Sequence, residues 1–171
     1  MSSPRDRRLK ADYERVLELV AASGTTLRIE SANGNPPSSY VIRYRCRGIE
    51  QANGERPIYR DEHHVRIDLP VGYPGKEPVA QLLTPMFHPN VWTNNIICLG
   101  GRWTPAEYLD KLLLRIGAII QYDPQYLNLG SAANPSAKAW AQRNMRLFPV
   151  GQCTFKTPTD QSAEISWRNL K

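Results

Sequence analysis

The stretch TPMFHPNVWTNNIICLGGRWTPAE, residues 84–107, decides how this chain is read. It starts where a series of strand-like stretches ends and finishes where an apolar helix begins. From Pro85 to Trp103 it shows neither the two-residue alternation of a strand nor helical spacing. A coil of about nineteen residues inside a compact domain is unusual and tends to carry function. This one holds His88-Pro89-Asn90 and Ile96-Ile97-Cys98-Leu99.

Downstream of the coil, Thr104-Pro105-Ala106-Glu107 reads as a capping box with proline in the first turn. Leu109, Leu112, Leu113, Ile116, Ile119 and Ile120 then predict a buried central helix that stops before Asp123-Pro124. Asn134-Pro135 caps a last helix running to about Leu147. Upstream, Ser3-Pro4 opens a helix over residues 4–22, with Leu9, Tyr13, Val16, Leu17 and Val20 on its apolar stripe and Gly24 as its stop. Arg7, Arg8, Lys10, Glu14 and Arg15 fall on the wet side. Three strand-like stretches follow. Ile42, Tyr44 and Cys46 alternate with Arg43, Arg45 and Arg47; Val65, Ile67 and Leu69 alternate with His64, Arg66 and Asp68. Asn33-Gly34 and Asn53-Gly54 mark the turns between them, and a fourth stretch runs from Val79 to Thr84. Short connections without helical crossovers imply an antiparallel meander. The expected fold is α+β: N-terminal helix, four-stranded antiparallel meander, central helix and C-terminal helix. The domain spans residues 1–148, and residues 149–171 form a tail, free or docked.

Composition narrows the functional class. The chain has 171 residues, 41% of them hydrophobic, which suits one domain with a real core. It contains no apolar run of ~18 residues and no apolar stretch after the basic residues at its start, so the expectation is a cytoplasmic protein without membrane contact. Three cysteines at wide spacings, Cys46, Cys98 and Cys153, suit free thiols in a reducing compartment. A net charge of +6 raises the question of nucleic acid, but no binding motif and no basic stripe interleaved with aromatics accompanies it; an acidic protein partner explains the charge equally well. No metal site is expected: His63 and His64 are adjacent on a strand and point to opposite faces, and there is no CxxC or HExxH spacing.

Taken in order, Tyr73-Pro74, Pro78, Thr84-Pro85, Phe87-His88-Pro89-Asn90, Cys98-Leu99 and Trp103-Thr104-Pro105 resemble the ubiquitin-conjugating enzyme family. The resemblance covers about residues 4–148 and rests on the combination, since HPN or a single cysteine alone is a weak signal. It implies that Cys98 carries a ubiquitin-like protein as a thioester, received from an activating enzyme and passed to an amine of a target protein, without a cofactor. Such exchange needs a thiolate that is also a good leaving group, in a loop two proteins can reach. By the resemblance, Asn90 supplies an amide to the oxyanion or orders the loop, and His88 fixes the loop through hydrogen bonds rather than moving protons. The resemblance also implies that Arg5, Arg7, Arg8 and Lys10 face the activating enzyme, and that Trp103, Thr104, Pro105 and Ala106 form one of two ligase-binding loops.

Three features depart from the family pattern. Asn128 stands where an acid often meets the attacking lysine; it can hydrogen-bond an amine but not take its proton. Gly75 replaces an anchoring aromatic in the other ligase loop, which leaves ligase dependence open. The loop after Cys98 is short, and Gly100 and Gly101 serve either close approach of a ubiquitin-like tail or a tight turn. These departures resemble bacterial members encoded beside an activating enzyme, some in antiphage defence. A rival reading is an inactive family variant acting as a binding adaptor, against which the presence of both Cys98 and Asn90 argues. An unrelated cysteine hydrolase would need a histidine base with a partner acid.

Overall fold

A computed structural model describes residues 2–158. Helix α1 (Pro4–Ser23) begins with the reciprocal cap that Ser3 and Asp6 make: the Asp6 N–H donates to Ser3 Oγ at 3.0 Å and the Ser3 N–H donates back to the Asp6 carboxylate at 3.2 Å. Leu9, Val16 and Leu19 on its inner face are buried. Gly24, at φ 60°, ends it in a conformation that costs a residue with a Cβ.

Strands β1 (Leu27–Gly34), β2 (Pro37–Tyr44), β5 (His63–Asp68) and β6 (Val79–Leu82) form one antiparallel sheet in that order. Its register places Ile42 opposite Val65 and Tyr40 opposite Ile67, so the apolar alternation read from the sequence lies on one face. That face packs on helix α2 (Leu109–Ile120), whose Leu112, Leu113, Ile116 and Ile120 are fully buried, and on α1. Tyr44 donates its hydroxyl to the Leu113 carbonyl at 3.0 Å, so even this polar atom of the core has a partner. The arrangement is the α+β fold expected, with the meander and the two further helices in the expected order.

Three local expectations are corrected. Asn53-Gly54 does not join two strands of the main sheet: it closes a separate hairpin of β3 (Gly48–Asn53) and β4 (Arg56–Arg60). This hairpin covers a second small core made by Ile49, Tyr122, Trp140 and Ala141, the last two from helix α3 (Pro135–Arg143). The central helix starts at Leu109 rather than near Pro105, and no capping box forms at Thr104. Glu107 turns instead toward Arg115, at 3.1 Å, and the Leu109 N–H is taken by Asp12 Oδ1 of α1 at 2.8 Å. Arg8 does not face water. It pairs with Asp12 at 2.9 Å, lies over the rings of Tyr73 and Tyr108 and donates to the Glu107 carbonyl. Asp12 also accepts the Tyr73 hydroxyl at 2.5 Å, so one buried carboxylate ties α1, the Tyr73 loop and the start of α2 together.

After α3 the chain makes a 3-10 turn at 145–147 and returns across α2. Phe155 meets the Tyr44 ring edge-on at 5.8 Å and lies where a Cβ at Gly117 would stand. The Cys153 N–H donates to Gln121 Oε1 at 2.9 Å. Residues 159–171, the end of the expected tail, lie outside the described residues. No helix among the described residues is long and apolar enough to cross a membrane.

Candidate functional site

The coil from Pro85 to Tyr108 owes its shape to directed hydrogen bonds. Tyr122, just past α2 and held at φ 61°, donates its hydroxyl to the Phe87 carbonyl, and its ring meets His88 edge-on at 4.3 Å. His88 is fully buried, and its Nδ1 accepts the Asn90 N–H at 2.9 Å. Burial pushes the His88 pKa down to about 3, against a smaller opposing pull from the Ile119 carbonyl. A neutral, enclosed ring with Nδ1 engaged braces the loop and is shut off from solvent.

Asn90 is the hub. Its backbone carbonyl accepts the Cys98 N–H at 2.7 Å, its side-chain Nδ2 donates to the Tyr126 carbonyl at 2.7 Å, and its Oδ1 accepts the Asn128 N–H at 2.9 Å. The side chain therefore stitches the cysteine loop to residues 126–128, and one N–H of its amide remains for another acceptor. Asn128 lies in the same cleft and turns its own Oδ1 back to the Ser131 N–H at 3.1 Å.

Cys98 follows Ile96 and Ile97, which bridge to Gln81 and Val91. Ile97 and Leu99 are buried while Cys98 between them is partly exposed, as alternation requires. Among the described residues no histidine or carboxylate hydrogen-bonds its thiol, so the dyad of a cysteine hydrolase is not assembled here. The other two thiols differ. Cys46 is buried, and burial raises its pKa far above that of a free thiol; burial raises that of Cys153 as well.

Two hollows border the Cys98 loop, the first lined by Cys98 itself and both by Leu99 and Gly100. One, of about 190 Å³, is lined by Pro78, Val79, Trp92, Ile96, Gly100 and Gly101. Gly100 and Gly101 sit at φ 73° and 62°, so the turn itself requires both glycines. The other, of about 120 Å³, is lined by Asn90, Arg102, Arg115 and Asn128. Neither arginine was singled out from the sequence. Arg115 did leave a signal there, as a charge interrupting the run Leu112-Leu113-Leu114 to Ile116.

The remaining expected residues fall on two further surfaces. Trp103 donates Nε1 to the Pro74 carbonyl at 2.8 Å and packs on Tyr73, which brings Thr104, Pro105 and Ala106, all exposed, beside Pro74 and Gly75. On α1, Arg7 and Lys10 are exposed, whereas Arg5 donates to the Leu69 carbonyl at 3.1 Å and Arg8 is engaged with Asp12. Val71, 90% exposed beside the Tyr73 loop, had no periodic signal to mark it.

A family model described as "Ubiquitin-conjugating enzyme" matches residues 51–150. Among curated proteins, the chain is 30% identical over 172 residues to ubiquitin-conjugating enzyme E2 2 of Saccharomyces cerevisiae, covering 99% of this chain and 88% of that protein. It is 36% identical over 151 residues to the protein of that name from Mycosarcoma maydis, covering 86% and 74%. With ubiquitin-conjugating enzyme E2 1 of Caenorhabditis elegans it shares 26% identity over 173 residues, covering 99% and 79%.

Proposed function

The chain belongs to the ubiquitin-conjugating enzyme family, and from that premise we propose that Cys98 accepts ubiquitin or a ubiquitin-like protein from an activating enzyme as a thioester and passes it to a lysine of a target protein. The observation that carries this reading is the setting of Cys98: partly exposed, its loop fixed through Asn90, and with no base in hydrogen-bond contact among the described residues. A thioester carrier needs access for two proteins, and an adjacent base would promote its hydrolysis.

Attack of the amine nitrogen on the thioester carbonyl forms the C–N bond and moves the carbonyl pair onto oxygen. Collapse then expels the Cys98 thiolate, and the proton lost by the amine leaves to solvent. Asn90 is suited to this through the N–H that Tyr126 does not take, and removing one such donor from an acyl-transfer site costs roughly a hundredfold or more. His88 acts as a positioning residue through Asn90. Asn128 contributes a side-chain N–H and no base. The Gly100–Gly101 hollow receives the extended tail of the carried protein. Arg7 and Lys10 meet an acidic surface of the activating enzyme, and Thr104, Pro105 and Ala106 beside Gly75 form the surface open to a ligase. Residues 1–148 act as the conjugating domain, and the chain after Pro149 is a tail that begins by lying across α2.

The test is charging with an activating enzyme, ATP and ubiquitin or a candidate ubiquitin-like protein. The expected product is an adduct that thiol reductant removes and that Cys98→Ala abolishes. An adduct unaffected by Cys98→Ala overturns the reading. The adaptor alternative is supported instead if the unchanged protein binds charged partners without forming any adduct.

A further inference from the structure

The 120 Å³ hollow between Asn90, Arg102, Arg115, Tyr126 and Asn128 is also lined by Leu99 and Gly100, the two residues that follow Cys98. Three of its acceptors are engaged. Asn90 Oδ1 accepts the Asn128 N–H, Asn128 Oδ1 accepts the Ser131 N–H, and the Tyr126 carbonyl accepts Asn90 Nδ2. Its donors are not. Arg115 is only 8% exposed, yet its Nε has no partner among the described residues. Glu107 pairs with Arg115 through Nη2 at 3.1 Å but does not line the hollow. Arg102 has no carboxylate among the described residues: it makes one long hydrogen bond, 3.4 Å to the Gln125 carbonyl, and lies 5.8 Å from the Tyr126 ring centre. The Asn128 amide keeps its Nδ2 donor.

A hollow whose lining carries an arginine with no carboxylate partner among the described residues, together with a free Asn128 amide donor, suits a ligand that accepts hydrogen bonds and carries negative charge. We propose that it binds a carboxylate side chain next to the acceptor amine, so that the protein selects acceptor segments with Asp or Glu beside the lysine. This rests on the reading of Cys98 given above. The occupant belongs to the acceptor because the carried protein's terminal carboxyl is consumed in the thioester, and the Gly100–Gly101 hollow on the other side takes its tail.

The experiment is single-turnover discharge of preformed thioester onto short blocked peptides, Asp-Lys against Asn-Lys, below saturation. We expect the Asp peptide to react roughly tenfold faster, the size of one charge-assisted hydrogen bond. Arg102→Gln should collapse that ratio toward one, Arg102→Lys should keep part of it, and Arg47→Gln, which removes one charge from an exposed surface pair, should leave it intact. Equal rates for the two peptides, or a ratio that survives Arg102→Gln, overturn the proposal. So does a variant that slows charging while the ratio stays, because the carboxylate would then belong to the carried protein. Failure to form any thioester counts against the reading of Cys98. The pocket is then tested by titrating the same peptides into the uncharged protein and following the Arg102 and Asn128 side-chain resonances. Saturable shifts with the Asp peptide alone support the pocket, and equal shifts with both overturn it.

Discussion

The packed interior and the coil from Pro85 to Tyr108 both contain fully buried residues, yet different forces hold them. Ile42, Ile67 and Ile116 in the interior have no polar atom in their side chains, and their contribution scales with the apolar area removed from water. In the coil, His88 and Asn90 are just as buried, as is Asp12 of α1 where it meets the coil's far end; His88 is held through Nδ1, and Asn90 and Asp12 each through two or more directed bonds. The lesson is that the interior should tolerate small changes of shape, whereas the coil should fail when one donor or acceptor is lost at nearly constant volume.

The largest expected effect is at the seam between the two regions. Asp12→Ala leaves the Arg8 guanidinium, the Tyr73 hydroxyl and the Leu109 N–H without their common acceptor, and we expect about 3–5 kcal/mol of lost stability in urea unfolding. A loss under ~1 kcal/mol would break the contrast. Acid comes next. His88 is held neutral by burial, with its pKa down at about 3, and His63 likewise at about 4, while the unfolded chain protonates both near 6.5. Unfolding therefore takes up protons below that value, so stability is at its plateau above pH 6.5 and falls as pH drops toward 4 and 3. Between pH 6.5 and 5 the expected loss is about 2 kcal/mol per histidine, readable as a shift of the urea midpoint. A midpoint independent of pH over that window contradicts the buried neutral rings. Smaller still, Ile116→Val in the interior should cost about 0.5–1.5 kcal/mol and leave the fraction of protein that charges unchanged. The least effect on stability, within about 0.5 kcal/mol, is expected for Asn128→Asp, whose oxygen can still accept the Ser131 N–H. The same change places an acceptor and a negative charge beside Arg102 and Arg115, so it should abolish the preference for acidic peptides while speeding discharge onto neutral ones.

The interior was legible because periodicity encodes it. The alternation at Ile42 and Tyr44 and at Val65 and Ile67 is the buried face observed, and α1 ends one residue from its expected limit. The coil was legible only as a pattern of residues resembling a family; its geometry depends on partners distant in sequence. Leu109 is capped by a carboxylate 97 positions earlier, which is why Thr104 looked like the start of the helix. The β3–β4 hairpin escaped notice for a different reason: Arg56-Pro57-Ile58-Tyr59-Arg60 lacks alternation, and no residue of that strand is buried, Ile58 and Tyr59 included. The resemblance could name Asn90, His88 and Cys98, but not that both ends of the Asn90 side chain are tied to residues 126–128. Nor could it show that Arg115 meets Asn90 and Asn128 in one hollow.

The most direct test of the central claim is to map the adduct formed after charging, by mass spectrometry of the non-reduced protein. We expect the carried protein's C-terminal residues on the peptide containing Cys98, lost on treatment with thiol. An adduct mapped to Cys46 or Cys153, or to a lysine from the outset, contradicts the assignment of Cys98 as the carrier.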